Sequence, residues 1–115
     1  MSRGLPWQSA ARVQGAFDLN DEELAEVLGV GTRTLYRHRR SAMPLSPQSS
    51  DRLARAVRVI EYAIEVIEDK AAALHWMRRA QLGLNDGVPL ELLQTDYGAR
   101  AVEHLLGRID HGVLS

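Results

Sequence analysis

The amino-acid sequence predicts an all-α protein of 115 residues. Apolar residues recur three and four positions apart over most of the chain, which is the spacing of one helix face, and no useful length alternates as a half-buried strand does. The composition, 45% hydrophobic and 25% charged, is that of an ordinary globular protein. A chain of this length buries a small core without a roomy internal pocket, so binding at a surface is favoured over catalysis in a deep cleft.

Three short helices are predicted in the first part of the chain. A supporting helix covers about residues 8–17. The second helix begins with a cap on Asn20 or Asp21, whose side chains accept hydrogen bonds from free backbone N–H groups. It ends at Gly29, because glycine tolerates the left-handed conformation found just past a helix C-terminus. The third helix covers about residues 32–40.

A connector rich in serine and proline, residues 44–50, precedes a long helix over about residues 50–68. Proline interrupts the helices because it lacks a backbone donor and disfavours helical geometry in the residue before it. The apolar residues of the long helix alternate between spacings of four and three and form one continuous seam. The seam consists of Leu53, Val57, Ile60, Ile64 and Ile67, and the apolar stripe is widened by Val59, Ala63 and Val66. It is either core within the chain or the interface of a homodimer.

The remaining elements are also helical. We expect a helix over about residues 70–80, a turn-rich loop over residues 83–89 and a short helical turn over residues 90–93. Thr95 or Asp96 caps the last helix. Its predicted inner face consists of Val102, Leu105, Leu106 and Ile109.

The two helices from Leu19 to Arg40 have the pattern of a helix-turn-helix. This motif needs a small residue where the helices cross, a glycine in the sharp turn and aliphatic residues at the other contacts. Ala25, Gly29 and Leu35 stand at those three places. The second helix would then enter the major groove of DNA with its N-terminal residues.

The charge of that second helix is one-sided, since residues 32–40 hold four arginines and no acidic residue. Arginine pairs with guanine or clamps phosphate, and hydroxyl groups contact phosphates or base edges. We expect Arg33 and Arg37, one turn apart, to reach base edges. The alternative is a solvated arginine face on a helical hairpin that never touches DNA. The candidate DNA-binding residues are Thr32, Arg33, Thr34, Tyr36, Arg37, Arg39 and Arg40.

The net charge of −1 hides an asymmetry along the chain. Residues 1–58 hold nine arginines against six acidic residues, a formal charge of +3. Residues 59–115 hold five basic against nine acidic residues, a formal charge of −4. This asymmetry indicates two different partners, one of them polyanionic.

Motifs for catalysis, metals and cofactors are missing from the sequence. Without cysteine, disulfides, thiolate zinc sites and a cysteine nucleophile are excluded. None of the four histidines belongs to an HExxH pair, and no GxSxG, GxGxxG or P-loop motif occurs. We therefore predict no catalytic residue, no metal ligand and no cofactor. Lacking an apolar leader or a segment of membrane length, the chain is predicted to be cytoplasmic, with no membrane partner.

The chain ends in a short apolar tail, residues 112–115, directly after a well-patterned helix. Termini are often disordered unless they dock. From the residues alone, Val113 and Leu114 either fold back on their own core or dock into another protein. His111 is placed for a polar contact with such a partner.

Short motifs between Leu19 and Ser115 are individually weak but specific in their order. They are RTLYR at 33–37, SDRLAR at 50–55, GVPLELL at 87–93, LLGRI at 105–109 and HGV at 111–113. In this order the sequence resembles the Xre/MbcA/ParS antitoxins of type II toxin–antitoxin systems. The resemblance implies a helix-turn-helix DNA-binding region over residues 1–44 and a small helical toxin-binding domain over residues 45–115.

The resemblance also implies the partners. The cognate toxin would be a RES-domain enzyme that consumes NAD⁺ or ADP-ribosylates proteins. The antitoxin, itself no enzyme, would block the toxin's active site with its C-terminal segment and repress its own operon. Carried over, the toxin-binding residues are Arg108, Ile109, Asp110, His111, Gly112, Val113, Leu114 and Ser115.

The segment before Leu19 is short for a full DNA-binding domain of this family. This short length favours binding of operator DNA by a homodimer or by a higher-order toxin–antitoxin complex. The alternative function is a stand-alone helix-turn-helix transcriptional regulator whose C-terminal half only dimerises.

Overall fold

The computed structural model describes residues 4–112, within which seven α-helices, one 3₁₀ helix and no β-strand occur. The prediction of an all-α fold is confirmed. The 3₁₀ helix spans Leu82–Leu84. The α-helices are α1 (Trp7–Ala16), α2 (Asp21–Leu28), α3 (Thr32–Ser41), α4 (Pro47–Ile67), α5 (Lys70–Met77), α6 (Pro89–Leu92) and α7 (Asp96–Asp110).

Helix α2 has the predicted caps at both of its ends. The Asn20 side chain accepts a hydrogen bond from the Glu23 backbone N–H at 2.8 Å, and the Glu23 carboxylate accepts one from the Asn20 N–H at 2.9 Å. This reciprocal capping box satisfies two backbone donors at the start of α2. Gly29 ends α2 with φ +73°, where a Cβ atom would be strained.

Aliphatic side chains hold the helix-turn-helix together. Leu24, Leu28 and Leu35 are at most 1% exposed. The hydroxyl of Ser49, a buried residue of the first turn of α4, donates a hydrogen bond to the Leu28 carbonyl oxygen at 2.8 Å. That bond satisfies one of the carbonyl groups left free at the C-terminus of α2.

Helix α4 begins at Pro47, about three residues before the predicted start. Proline is tolerated in the first turn because its missing N–H would have no partner inside the helix. The Ser46 hydroxyl oxygen accepts a hydrogen bond from the Ser49 N–H at 3.0 Å, so a serine of the connector caps the helix. The connector therefore ends at the cap instead of running to residue 50.

The predicted seam of α4 is not uniform in its burial. Leu53 and Ile60 are buried, whereas Val57, Ile64 and Ile67 are half-buried. The most deeply buried positions also include three residues outside the seam, all with no exposed surface: Ala56, Val59 and Ala63. The centre of the buried face is thus rotated away from the predicted seam, which leaves part of the seam at the surface.

The chain forms two compact units, Met1–Ala54 and Arg55–Ser115, with the change from one to the other inside α4. Leu53 belongs to the core residues of the first unit, and Val59 and Ile60 to those of the second. The division of binding functions between residues 1–44 and residues 45–115 stays a prediction.

Close backbone approaches organise the second unit. The Thr95 hydroxyl caps α7 by accepting a hydrogen bond from the Gly98 N–H at 2.9 Å. A Cβ atom on Gly98 would lie 2.1 Å from the Leu92 carbonyl oxygen, and one on Gly83 would lie 2.7 Å from the Leu105 side chain. Glycine at these two positions lets α6 and the 3₁₀ helix approach α7.

Helix α5 ends at Met77, earlier than the predicted residue 80. The Gln81 side-chain amide donates hydrogen bonds to the carbonyl oxygens of Trp76 at 3.0 Å and Arg79 at 3.3 Å. These bonds satisfy carbonyl groups that a longer helix would have used itself. An isolated antiparallel bridge joins Gln81 to Gly87 and closes the turn that follows.

The inner face of α7 matches the prediction at three of four positions. Val102, Leu105 and Leu106 are buried, but Ile109 is 36% exposed. The prediction that Ile109 belongs to the inner face is therefore wrong. Ile109 lies in the last turn of α7, one turn beyond the Leu105 side chain that packs at Gly83. Helical spacing alone does not show how far the neighbouring elements extend along a helix.

Two leucines of the second unit should differ sharply when truncated. Leu106 has no exposed surface, so Leu106→Ala should lower the free energy of unfolding by about 2–5 kcal/mol, through lost burial and a residual cavity. Leu82 is 87% exposed, so Leu82→Ala should change that free energy by less than about 0.5 kcal/mol. Urea unfolding followed by circular dichroism measures both, and equal losses would contradict the packing described above.

Candidate functional site

The surface of α3 presents a basic and hydroxyl-rich face. Only Leu35 of this helix is buried, where it packs in the core of the first unit. Thr34 is half-buried, and Tyr36 is 53% exposed despite its aromatic ring. The fully exposed candidate DNA-binding residues are Thr32, Arg33, Tyr36, Arg37 and Arg40. Five of the seven predicted contacts thus lie together on one accessible helix.

Arg39 is held differently from the other arginines of α3. Its guanidinium makes two hydrogen bonds to the Asp21 carboxylate, from Nη2 to Oδ1 at 2.8 Å and from Nη1 to Oδ2 at 3.2 Å. Nη2 also donates to the Gln14 side-chain oxygen at 3.3 Å, and the Gln14 amide donates to the Asp21 Oδ1 atom at 2.8 Å. The three side chains come from α1, α2 and α3.

Two aromatic rings complete this cluster. The Arg39 guanidinium carbon lies 5.7 Å from the ring centroid of Trp7 and 5.7 Å from that of Tyr36. Cation–π contacts at this range are attractive. Trp7 is itself buried, so the cluster links the polar network to the core. Arg39 therefore holds α3 against α1 and α2, a role that its place in an arginine run did not reveal.

The same network perturbs the acidity of Asp21. The hydrogen bonds from Arg39, and then that from Gln14, favour the charged carboxylate and lower the pKa of Asp21 from 3.8 to about 2. The carboxylate in turn raises the pKa of Arg39. Both charges are stable at neutral pH, so the clamp on α3 is intact there.

The second predicted surface is the end of α7. Arg108, Ile109, Asp110, His111 and Gly112 are all exposed. The His111 N–H donates to the Gly107 carbonyl oxygen at 3.0 Å, and the Gly112 N–H donates to that of Ile109 at 3.1 Å. The helix itself ends at Asp110, and the two bonds form a turn in which Gly112 takes a left-handed conformation with φ +71°. The other three predicted toxin-binding residues, Val113, Leu114 and Ser115, lie outside the described residues.

The histidines and acids do not gather into a metal site in the part of the chain from residue 4 to residue 112, where no group of three or more such side chains is placed to hold an ion. The His75 Nε2 atom lies 3.3 Å from the Arg79 Nη1 atom, and the His38 Nδ1 atom lies 3.5 Å from the Met43 carbonyl oxygen.

No helix within residues 4–112 is both long and apolar enough to cross a membrane.

Two family models match the chain in succession. The model of the antitoxin Xre-like helix-turn-helix domain matches residues 2–58 and therefore includes α1, α2 and α3. The model of the antitoxin Xre/MbcA/ParS C-terminal toxin-binding domain matches residues 63–112, which include α5, α6 and α7. The exposed face of α3 thus lies inside the first matched region, and residues 108–112 lie inside the second.

Curated relatives agree with these matches. A protein named Antitoxin Xre from Photorhabdus laumondii subsp. laumondii is 31% identical over 116 residues, which cover 100% of this chain and 78% of the relative. Another of the same name from Yersinia enterocolitica is 38% identical over 94 residues, which cover 81% of this chain and 64% of the relative.

The lowered pKa of Asp21 predicts a specific dependence of stability on pH. A carboxyl group with a lowered pKa in the folded state contributes stability above its unfolded pKa and loses that contribution as the pH falls towards its folded pKa. For Asp21 the loss should occur as the pH falls from about 4 to about 2. Asp21→Asn should remove this part of the pH dependence.

The measurement is the thermal unfolding midpoint across that pH range. Asp51→Asn, a change at an exposed residue of α4, is the matched control and should follow the wild type. A wild-type pH profile that is unchanged by Asp21→Asn would show that the Arg39 pair contributes nothing in solution.

Proposed function

This chain belongs to the Xre family of antitoxins, and we propose that it neutralises a RES-domain toxin and represses its own operon. The toxin-binding region would occupy the toxin's active site with its C-terminal segment. The helix-turn-helix would bind the operator with α3. The chain itself would carry out no catalysis, because the active site concerned belongs to the partner.

One observation carries the proposal for toxin binding. The match to the toxin-binding domain ends at residue 112, and the last five matched residues, 108–112, are all exposed at the end of α7. Exposed residues at the end of a folded helix can enter a cleft without unfolding their own domain. Residues 113–115 would extend this segment further into the cleft.

The charge of the segment suits a site that handles NAD⁺. A cleft that binds a pyrophosphate holds cationic side chains, and the exposed carboxylate of Asp110 would offer them an anionic partner. The formal charge of −4 over residues 59–115 would also speed association with such a cleft. Arg108 and His111 would donate hydrogen bonds to acceptors at the rim of the cleft.

The face of α3 supports the operator-binding half of the proposal. Arg33, Arg37 and Arg40 are exposed, and Arg39 is engaged with Asp21. We assign base contacts to Arg33 and Arg37 and phosphate contacts to Arg40 and the hydroxyl groups of Thr32 and Tyr36. Arg39 would act by orienting α3.

Homodimerisation fits both halves of the proposal. Val57, Ile64 and Ile67 are half-buried, so an apolar part of the α4 seam stays at the surface of the second unit. A second copy packed on this strip would bury it and would bring two helix-turn-helix units to a two-fold operator. Higher-order complexes would follow when each copy also holds a toxin.

Substitutions on α3 should separate base contacts from phosphate contacts. Arg33→Ala and Arg37→Ala should each weaken binding to the operator by about 1–3 kcal/mol, with a smaller loss on random DNA. Arg40→Ala should weaken binding to both DNAs alike and reduce the salt dependence. Fluorescence anisotropy at several salt concentrations measures these effects. Equal losses on both DNAs for Arg33→Ala would reassign that residue to phosphate.

Removal of the C-terminal segment should abolish neutralisation. A variant lacking Asp110 to Ser115 should keep the helical circular dichroism spectrum but fail to rescue cells that express the protein encoded beside this chain. The matched control, Arg100→Ala, changes an exposed residue of α7 that is paired with Asp96 at 2.8 Å, and should rescue normally. Full rescue by the truncated chain would refute the proposed inhibitory segment. If the intact chain neither rescues cells nor copurifies with the neighbouring protein, the chain is a stand-alone regulator instead.

A further inference from the structure

An open groove runs along the outer side of α7 in the second unit. Its volume is about 960 Å³, and most of its wall is apolar. One side is formed by the 3₁₀ helix and its following turn, the other by Tyr62 of α4. We refer to it as the α7 groove. Residues of α7 along it include Tyr97, Ala101, His104, Arg108 and His111.

Small residues keep the α7 groove open. Ala101 and Gly107 line it from α7, and a Cβ atom on Gly107 would reach 3.5 Å from the Tyr62 hydroxyl oxygen. At its end Tyr97 is 77% exposed, and Leu82, next to the groove-lining Gly83, is 87% exposed. Large apolar side chains exposed beside a concave apolar surface are typical of a protein-binding site.

The polar groups of the groove favour an acidic partner. Arg108, His104 and His111 provide N–H donors along it. The one acidic residue among the groove-lining side chains, Glu103, is engaged by Arg58, whose Nε donates to Oε2 at 3.2 Å and whose Nη2 donates to Oε1 at 3.4 Å. The groove therefore offers hydrogen-bond donors, although residues 59–115 as a whole carry a formal charge of −4.

The groove is continuous with the segment proposed to inhibit the toxin. Arg108 and His111 belong to both, so a protein that receives the end of α7 in its cleft must place its rim against this groove. The matched toxin-binding region, residues 63–112, contains every groove-lining residue except Tyr62. This continuity favours the toxin as the occupant over a second copy of the chain.

We propose that the α7 groove is a second docking surface for the toxin, which inserts an apolar side chain flanked by a carboxylate from the rim of its active site. The inference rests on the proposed function and extends the interface to a part of the toxin that lies outside its active-site cleft. The apolar side chain would lie over Ala101 between Tyr62 and Tyr97, and the carboxylate would accept hydrogen bonds from His104 and Arg108. The segment would inhibit, and the groove would supply affinity.

The first test fills the groove. Ala101→Phe should weaken binding of the full chain to its copurifying toxin by at least about tenfold, because the new ring would occupy the space of the toxin's side chain. The matched control is Ala71→Phe on α5, an exposed alanine outside the groove, which should bind within about twofold of the wild type. Isothermal titration calorimetry measures both, and an unchanged melting temperature shows that each variant folds. Binding of Ala101→Phe within about twofold of the wild type overturns the proposal.

The second test examines the charge of the occupant and does not depend on the first variant folding. His104 is exposed, so neither change at this position disturbs the core. His104→Glu should weaken toxin binding by at least about tenfold through repulsion of the carboxylate, whereas His104→Lys should bind as the wild type or more tightly. Equal losses for both variants, or tighter binding by His104→Glu, would overturn the proposed carboxylate.

These outcomes are distinct from a failure of the proposed function. If deletion of residues 110–115 abolishes neutralisation while the Ala101 and His104 variants bind normally, the inhibitory segment stands and the groove proposal falls. If the groove variants lose affinity while the deleted chain still protects cells, the groove proposal stands and the cleft-blocking segment falls.

Discussion

The bidentate pair between Arg39 and Asp21 determines what the helix-turn-helix can offer to a ligand. Aliphatic side chains pack the three short helices together, and polar contacts add to that packing at the surface. Arg39 supplies them by joining the Asp21 carboxylate, the Gln14 amide and the rings of Trp7 and Tyr36. One cation of α3 is thereby used inside the unit, and the remaining arginines are directed outwards. Three of the four arginines of α3 thus remain on its exposed face.

The features that sequence could predict are those decided within a few residues. The cap at Asn20, the left-handed turn at Gly29 and the cap at Thr95 depend on local backbone chemistry, and each lies where its residue type predicted it. Errors arose where distant residues decide. The exposure of Ile109 depends on how far other elements reach along α7, and the burial of Ala56 depends on what packs against α4. Spacing gives the period of a face but not its exact direction.

The candidate surfaces divide in the same way. Most of the α3 face was predictable, because a run of arginines and hydroxyl groups lies on consecutive residues of one helix. The α7 groove was not, since α4, the 3₁₀ helix and α7 must meet before it exists, and its glycines and alanines carry no chemical signal of their own. Arg39 shows a different limit: its chemistry was visible in the sequence, but its partner Asp21, eighteen positions away, was not.

The passage of α4 through both compact units has a consequence for the origin of new specificities. Recombination between two antitoxins that exchanges the helix-turn-helix domain and keeps the toxin-binding domain would ordinarily be expected to join them in a loop. The connector before Pro47 would be a poor junction here. Ser49 and Leu53 would then come from one parent protein, whereas the first-unit core that they pack against would come from the other. With a junction between Ala54 and Arg55, in the middle of a helix, all core residues of each unit come from the same parent protein. Hybrid antitoxins that fold should therefore have their recombination junction inside the continuous helix α4 and not in a loop.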